Sequence, residues 1–104
     1  MIVEQRDYHI YTGKLKEVLR LYETEGIIIQ KEVLGNLIGW FTTEIGALSS
    51  ICAMWGYENF ADREQRRAAL AADERWQAFL PKLHPLVHTQ QNRILTPTAF
   101  SPIQ

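Results

Sequence analysis

Three polar side chains repeat at period two near the start of the chain: Glu4, Arg6 and Tyr8. On an extended strand alternate residues share a face, so these three point one way and Gln5, Asp7 and His9 the other. Glu4 and Arg6 would then stand about 6–7 Å apart, close enough to pair or to address one ligand together. Trp55 and Tyr57, at the same period in a later strand-like segment, are their expected neighbours. Arg6 suits an anionic or phenolic oxygen, and Glu4 would serve as a base if burial raised its pKa. The competing reading is a buried or interfacial ion pair that fixes strand register, because perturbed carboxylates belong to structural pairs too. The ligand-binding candidates are therefore Glu4, Arg6, Tyr8, Trp55 and Tyr57, and no catalytic residue is assigned.

Other reactive side chains carry weaker patterns. His84 and His88 have the i, i+4 spacing of a helical zinc pair. Pro85 between them opposes a helix, and on a strand they would sit about 13 Å apart. No cysteine pair or acidic cluster adds ligands, so no metal is expected. His9 reads as a surface or interface residue, with no base-orienting neighbour. Cys52, between Ile51 and Ala53, reads as a small apolar residue, and Ser49-Ser50 lacks the surroundings of a serine nucleophile. Arg63, Arg66 and Arg67, with Glu64, crowd one turn of a helix. They read as a solvated face with local ion pairs, and an anion or partner contact is the other reading. Trp40, Trp55 and Trp76 read as core or interface packing. No phosphate-binding loop is present, so no nucleotide is expected; His84 or His88 as a haem ligand is a minor reading, and no cofactor is expected.

These residues need elements to position them. Ile2 to Tyr11 reads as the first strand. Lys14 to Glu25 reads as a helix with Leu15, Val18, Leu19 and Tyr22 on one stripe, and Thr12 can cap it. Gly26 would end or kink that helix, and Ile27 to Leu34 is read as helix resumed. Leu37 to Glu44 and Ser50 to Tyr57 form a hairpin. Ala61 to Leu80 is helical, with a capping box from Asp62 and Gln65, a second start at Asp73 and a stop or bend at Pro81. Leu86 to Leu95 is the last strand, and residues 97–104 form an extended tail around a core spanning 2–96. The order is β-α-β-β-α-β: an α+β fold with helices on one face of a four-stranded antiparallel sheet, β1 and β3 central. Apolar residues on both parities of the hairpin suggest a second copy of the sheet as cover, hence a homodimer.

The totals narrow the function. The 104 residues fit one domain with a core. Eleven basic against twelve acidic residues leave a net charge of −1, without the basic excess of a nucleic-acid binder. No apolar run approaches the ~20 residues of a membrane span, and the start has no signal-peptide pattern. With Cys52 the only cysteine, a cytoplasmic location is expected.

Several long segments resemble the NIPSNAP family: Val3-Glu4-Gln5-Arg6-Asp7-Tyr8, Leu34-Gly35-Asn36-Leu37-Ile38-Gly39-Trp40-Phe41-Thr42-Thr43-Glu44-Ile45-Gly46, Met54-Trp55-Gly56-Tyr57, Ala71-Ala72-Asp73-Glu74-Arg75-Trp76-Gln77-Ala78-Phe79-Leu80 and Leu95-Thr96-Pro97. The resemblance runs from about residue 2 to the end. It implies a ferredoxin-like fold and a dimeric α+β barrel, and it implies no activity. Relatives often have histidine where this chain has Ala53 and an apolar residue where it has Gln5. In such barrels small organic molecules bind between sheet and helices. Two functions follow: a homodimeric small-molecule-binding or interaction module, or a cofactor-independent enzyme, of monooxygenase or isomerase type, acting on a small aromatic or apolar molecule. The enzyme calls for an enclosed pocket of ~300 Å³ or more beside Glu4 or Arg6.

Overall fold

The computed structural model describes residues 1–104. β1 (Ile2–Ile10) leads to α1 (Leu15–Leu21), a π-helical turn (Tyr22–Gly26) and α2 (Ile27–Leu34). The hairpin of β2 (Asn36–Thr42) and β3 (Ser50–Tyr57) follows, then α3 (Phe60–Ala72), α4 (Glu74–Leu83), a short 3-10 turn (His84–Leu86) and β4 (Val87–Leu95). The strands pair antiparallel in the order β2-β3-β1-β4, so β1 and β3 are central as the element order predicts. The fold is the expected α+β arrangement, and the Cα atoms span 40 × 36 × 20 Å, a slab of two layers.

Strand parity decides what the helices cover. Ile2, Glu4, Arg6, Tyr8 and Ile10 are all buried, and their β3 partners Ile51, Ala53, Trp55 and Tyr57 face the same way. Phe79, Leu83, Val18 and Leu70 complete this core from the helices. The opposite face has two characters. Phe41, Cys52 and Met54 lie on its β2–β3 side, whereas Gln5, Asp7, Gln91 and Arg93 lie on its β1–β4 side. At one end of the β1–β4 side Val3 and Leu95 add an apolar pair, and the tail residues Pro97 and Ile103 line a groove with them and Met54.

Several local expectations differ from what forms. Gly26 neither ends nor breaks the helix. Its backbone stays helical, and the π-helical turn absorbs the irregularity. A Cβ there would come within 2.7 Å of Phe79 Cζ and 2.8 Å of Tyr22 Cδ1, so close packing is what calls for glycine. Gly35, at φ +87°, is the residue that ends α2. Thr12 does not cap α1; Lys14 stands at that position without a side-chain bond. The start of α3 is Asn59, whose side chain accepts from the Asp62 N–H at 2.8 Å, while Asp62 accepts from the Glu58 N–H at 3.0 Å. Asp62 is therefore the second half of a reciprocal cap, not its first residue. Asp73 caps α4 as its sequence predicts, accepting from the N–H groups of Arg75 and Trp76. Pro81 does not stop α4, which continues to Leu83. The tail, residues 96–104, has neither helix nor strand.

Candidate functional site

The polar face of β1 lies inside the molecule, under the helices. Glu4 is fully buried, and one of its oxygens, Oε2, accepts three hydrogen bonds. Arg6 Nη1 donates from 2.9 Å on the same strand, Asn92 Nδ2 from 2.9 Å on β4 and Arg63 Nη2 from 2.8 Å on α3. Burial alone would push the Glu4 carboxyl up. The bonds from Arg63 and Asn92, with the charges of Arg6 and Arg63, outweigh it and hold the pKa at about 2. The raised pKa that a base would need is absent: this carboxylate stays ionised and is a weak proton acceptor.

Arg6 spends its Nε–H on the Tyr8 hydroxyl, 2.8 Å away. That hydroxyl accepts, so its own proton remains available to another acceptor. Burial disfavours the Arg6 charge, but Tyr8 and Glu4 more than restore it. Trp55 stands opposite Glu4 in the β1–β3 register and Tyr57 opposite Ile2, so the five candidates share one sheet face.

They do not share one cavity. A recess of about 210 Å³ between the sheet and the helices is lined by Arg6 and Tyr8 but not by Glu4, Trp55 or Tyr57. Tyr22, Gln30, Arg67 and Trp76 complete its inner wall, and the exposed His84 and Gln90 lie at its rim. Tyr57 lines a separate open groove with Asn36 and Arg66.

Gln30 is not among the sequence candidates, and Arg67 enters only in the arginine cluster of the second helical segment, read first as a solvated face and second as an anion or partner contact. Arg66 does pair with Asp62 across one turn, as a solvated helix face would. Arg63 and Arg67 instead turn toward the sheet. Helical period was the overlooked signal, because residues 63, 67 and 70 are i, i+4, i+7 and Leu70 is a core residue. Burial, then the charge of Arg6, lowers the pKa of Arg67. Its Nη1 is buried without a partner, and so is Oε1 of Gln30, a residue only 2% exposed.

The remaining reactive groups stand elsewhere. His9, on the outer face, sits with His88, ring centroids 5.7 Å apart, and His88 packs against Tyr11. His84 is at the cavity rim, so the two histidines of the HxxxH-spaced pair take separate places. No group of three or more His, Cys, Asp or Glu side chains is placed to hold a metal ion. Burial and the Asp7 carboxylate push the Cys52 thiol up, away from nucleophilic use.

This fold and this sequence have known counterparts. The family model for NIPSNAP matches residues 3–102. The chain belongs to the NIPSNAP family. A NIPSNAP family protein from Agrobacterium tumefaciens superposes with a TM-score of 0.97 at 54% identity, covering 99% of this chain and 98% of that one. Protein NipSnap homolog 3A of Homo sapiens is 31% identical over 94 residues, 88% of this chain, and the chain spans 37% of that relative's length. A putative antibiotic biosynthesis monooxygenase from Nitrosomonas europaea has a TM-score of 0.69 at 8% identity over 93% of this chain and 98% of that one, a likeness of fold alone. The NIPSNAP resemblance drawn from the motifs is therefore borne out. In this NIPSNAP domain no helix is long and apolar enough to cross a membrane.

Proposed function

We propose that the chain is a homodimeric domain that binds a small organic molecule between its sheet and its helices. The observation that carries the binding half is the recess beside Arg6 and Tyr8. It combines aromatic walls, Trp76 and Tyr22, with a few convergent polar groups, the usual make-up of a ligand site. Its 210 Å³ is below the ~300 Å³ at which such sites commonly begin, so the ligand is compact.

The dimer half is supported by the uncovered sheet face. Phe41 is 55% exposed there, beside Cys52 and Met54, and the tail carries Phe100 at 90% exposure. A second copy laid on this face would cover Phe41, and Phe100 could reach the partner. The half-buried, unreactive thiol of Cys52 suits the reducing cytosol in which we place the protein.

The enzymatic alternative, a cofactor-independent monooxygenase or isomerase, would use the same recess. Glu4 weakens it, because its ionised carboxylate is held by three donors and does not line the recess.

Nuclear magnetic resonance of the full chain, read at the Trp76 indole N–H, tests the binding reading. A panel of small aromatic compounds, neutral, anionic and cationic, is added in turn. At least one class is expected to shift that signal saturably. A silent indole across all three classes would sink the binding reading. Sedimentation at micromolar concentration tests the dimer, for which a mass near twice 12.1 kDa is expected.

A further inference from the structure

The interior around Glu4 is unbalanced in charge. One carboxylate faces three guanidiniums, those of Arg6, Arg63 and Arg67. Arg6 and Arg63 are tied to Glu4 directly, whereas Arg67 enters none of the chain's six ion pairs. A partly buried cation without a counter-charge is costly, because solvation is lost and nothing local replaces it.

The unpartnered buried polar atoms lean the same way. Six side-chain atoms lack a hydrogen bond, and four of them belong to N–H or O–H donors: Trp55 Nε1, Tyr57 Oη, Arg63 Nε and Arg67 Nη1. The other two are acceptor oxygens, Glu4 Oε1 and Gln30 Oε1, although the Gln30 amide can be turned over so that its nitrogen takes the place of the oxygen. Donors outnumber acceptors in this interior, and the cavity itself is lined by Arg6, Arg67, Gln30 and the Tyr8 hydroxyl that still has a proton to give. Of the unpartnered atoms only those of Arg67 and Gln30 belong to the recess; there an anionic acceptor answers both the free Arg67 N–H and its uncompensated charge, whereas a neutral acceptor answers the hydrogen bond alone.

Size and the remaining wall constrain the rest of the molecule. At the ~30 Å³ that a water takes in the liquid, and less for bonded atoms, the recess has room for roughly seven to ten non-hydrogen atoms. Trp76, Leu80, Leu83 and Val87 supply the apolar part of its lining. We infer that the recess takes a compact organic monocarboxylate with a flat apolar body, and that Arg67 is the residue that recognises its charge. The inference rests on the reading of the recess as a ligand site and adds the chemical class to it.

The test compares benzoate, benzamide and inorganic phosphate on the full chain at pH 7, again at the Trp76 indole N–H. Benzoate is expected to bind at least tenfold more tightly than benzamide, and phosphate to leave the indole unmoved. Arg67→Gln is expected to bring benzoate down to the level of benzamide without changing benzamide, and Arg67→Lys to keep part of the preference. If benzamide binds as well as benzoate, the anion inference fails while the ligand site stands. If neither binds, the anion inference fails, and the ligand site falls with it only when the cationic compounds leave the indole silent as well. If phosphate competes fully with benzoate, the apolar body is wrong. An unchanged preference in Arg67→Gln removes Arg67 from the role, and the comparison on the unaltered chain decides the anion question even if that variant does not fold.

Discussion

Replacing Glu4 by glutamine takes away the only negative charge that Arg6, Arg63 and Arg67 face in the interior, while keeping the shape of the side chain. Its ordinary pKa of 4.5 falls to about 2 in the folded chain. At 1.36 kcal/mol per pH unit, that difference corresponds to about 3 kcal/mol of stability at neutral pH. Breaking a buried pair by removing one partner commonly costs about 3–5 kcal/mol, so the two routes agree. For a domain near 100 residues each kcal/mol moves Tm by about 4–8 °C, which puts the fall at roughly 12–24 °C. The sign with pH follows from the depressed pKa. The contribution is complete above about 4.5, where the unfolded group is also ionised, and disappears as pH falls through about 2. Urea unfolding of the two proteins at pH 7, 5, 3.5 and 2.5 should therefore show a gap that is constant down to about pH 5 and then closes. Other carboxylates, such as Asp73, titrate in both proteins and cancel. A gap under about 1 kcal/mol at pH 7, or one that does not narrow on acidification, would refute the claim that this carboxylate holds the interior together.

Three further outcomes are expected. Gly26→Ala forces a methyl group against Phe79 and Tyr22 and should lower stability by about 1–3 kcal/mol in a thermal melt, although alanine favours helix; an unchanged melt would mean that the rings move aside freely. Arg67→Met removes a charge that burial and Arg6 both disfavour, so stability should rise by about 1 kcal/mol, and a clear fall would make the guanidinium a structural tie. Phe41→Glu should turn a sedimenting dimer into single chains with little change in their unfolding, because Phe41 faces away from the core; a surviving dimer would move the interface elsewhere.

The sheet was legible because its strands alternate. The period-two row Glu4, Arg6 and Tyr8 could be assigned to one face before any coordinate was known, and hairpin and strand order followed from short links and element sequence. What sequence did not reveal was which face the polar row meets. An ion-paired β1 reads equally well as surface or interior, and only the converging Arg63 and Asn92 make the interior tolerable. Arg63 and Arg67 were read first as solvated because charge type outweighed period in α3; the anion contact was the second reading. Asn92 was missed because β4 is polar throughout its middle, His88 to Arg93, and its pattern marks no inner face. Gly26 and Pro81 misled in the same way: both are local breakers, and the helical backbone runs on through each.

That featureless middle of β4 has a consequence for assembly of the sheet. A strand whose two sides are nearly equivalent is prone to slip along its neighbour. Moving β4 by two positions would keep its sides unchanged, yet it would put Gln90 or Ile94 where Asn92 now reaches Glu4. The bond from Asn92 spans 88 positions of chain, and it makes one correct alignment distinguishable from its closest competitors. The carboxylate near the beginning of the polypeptide thus acts as a key for the strand near its end, adding to the apolar ends Val87 and Ile94 the alignment signal that its polar middle lacks.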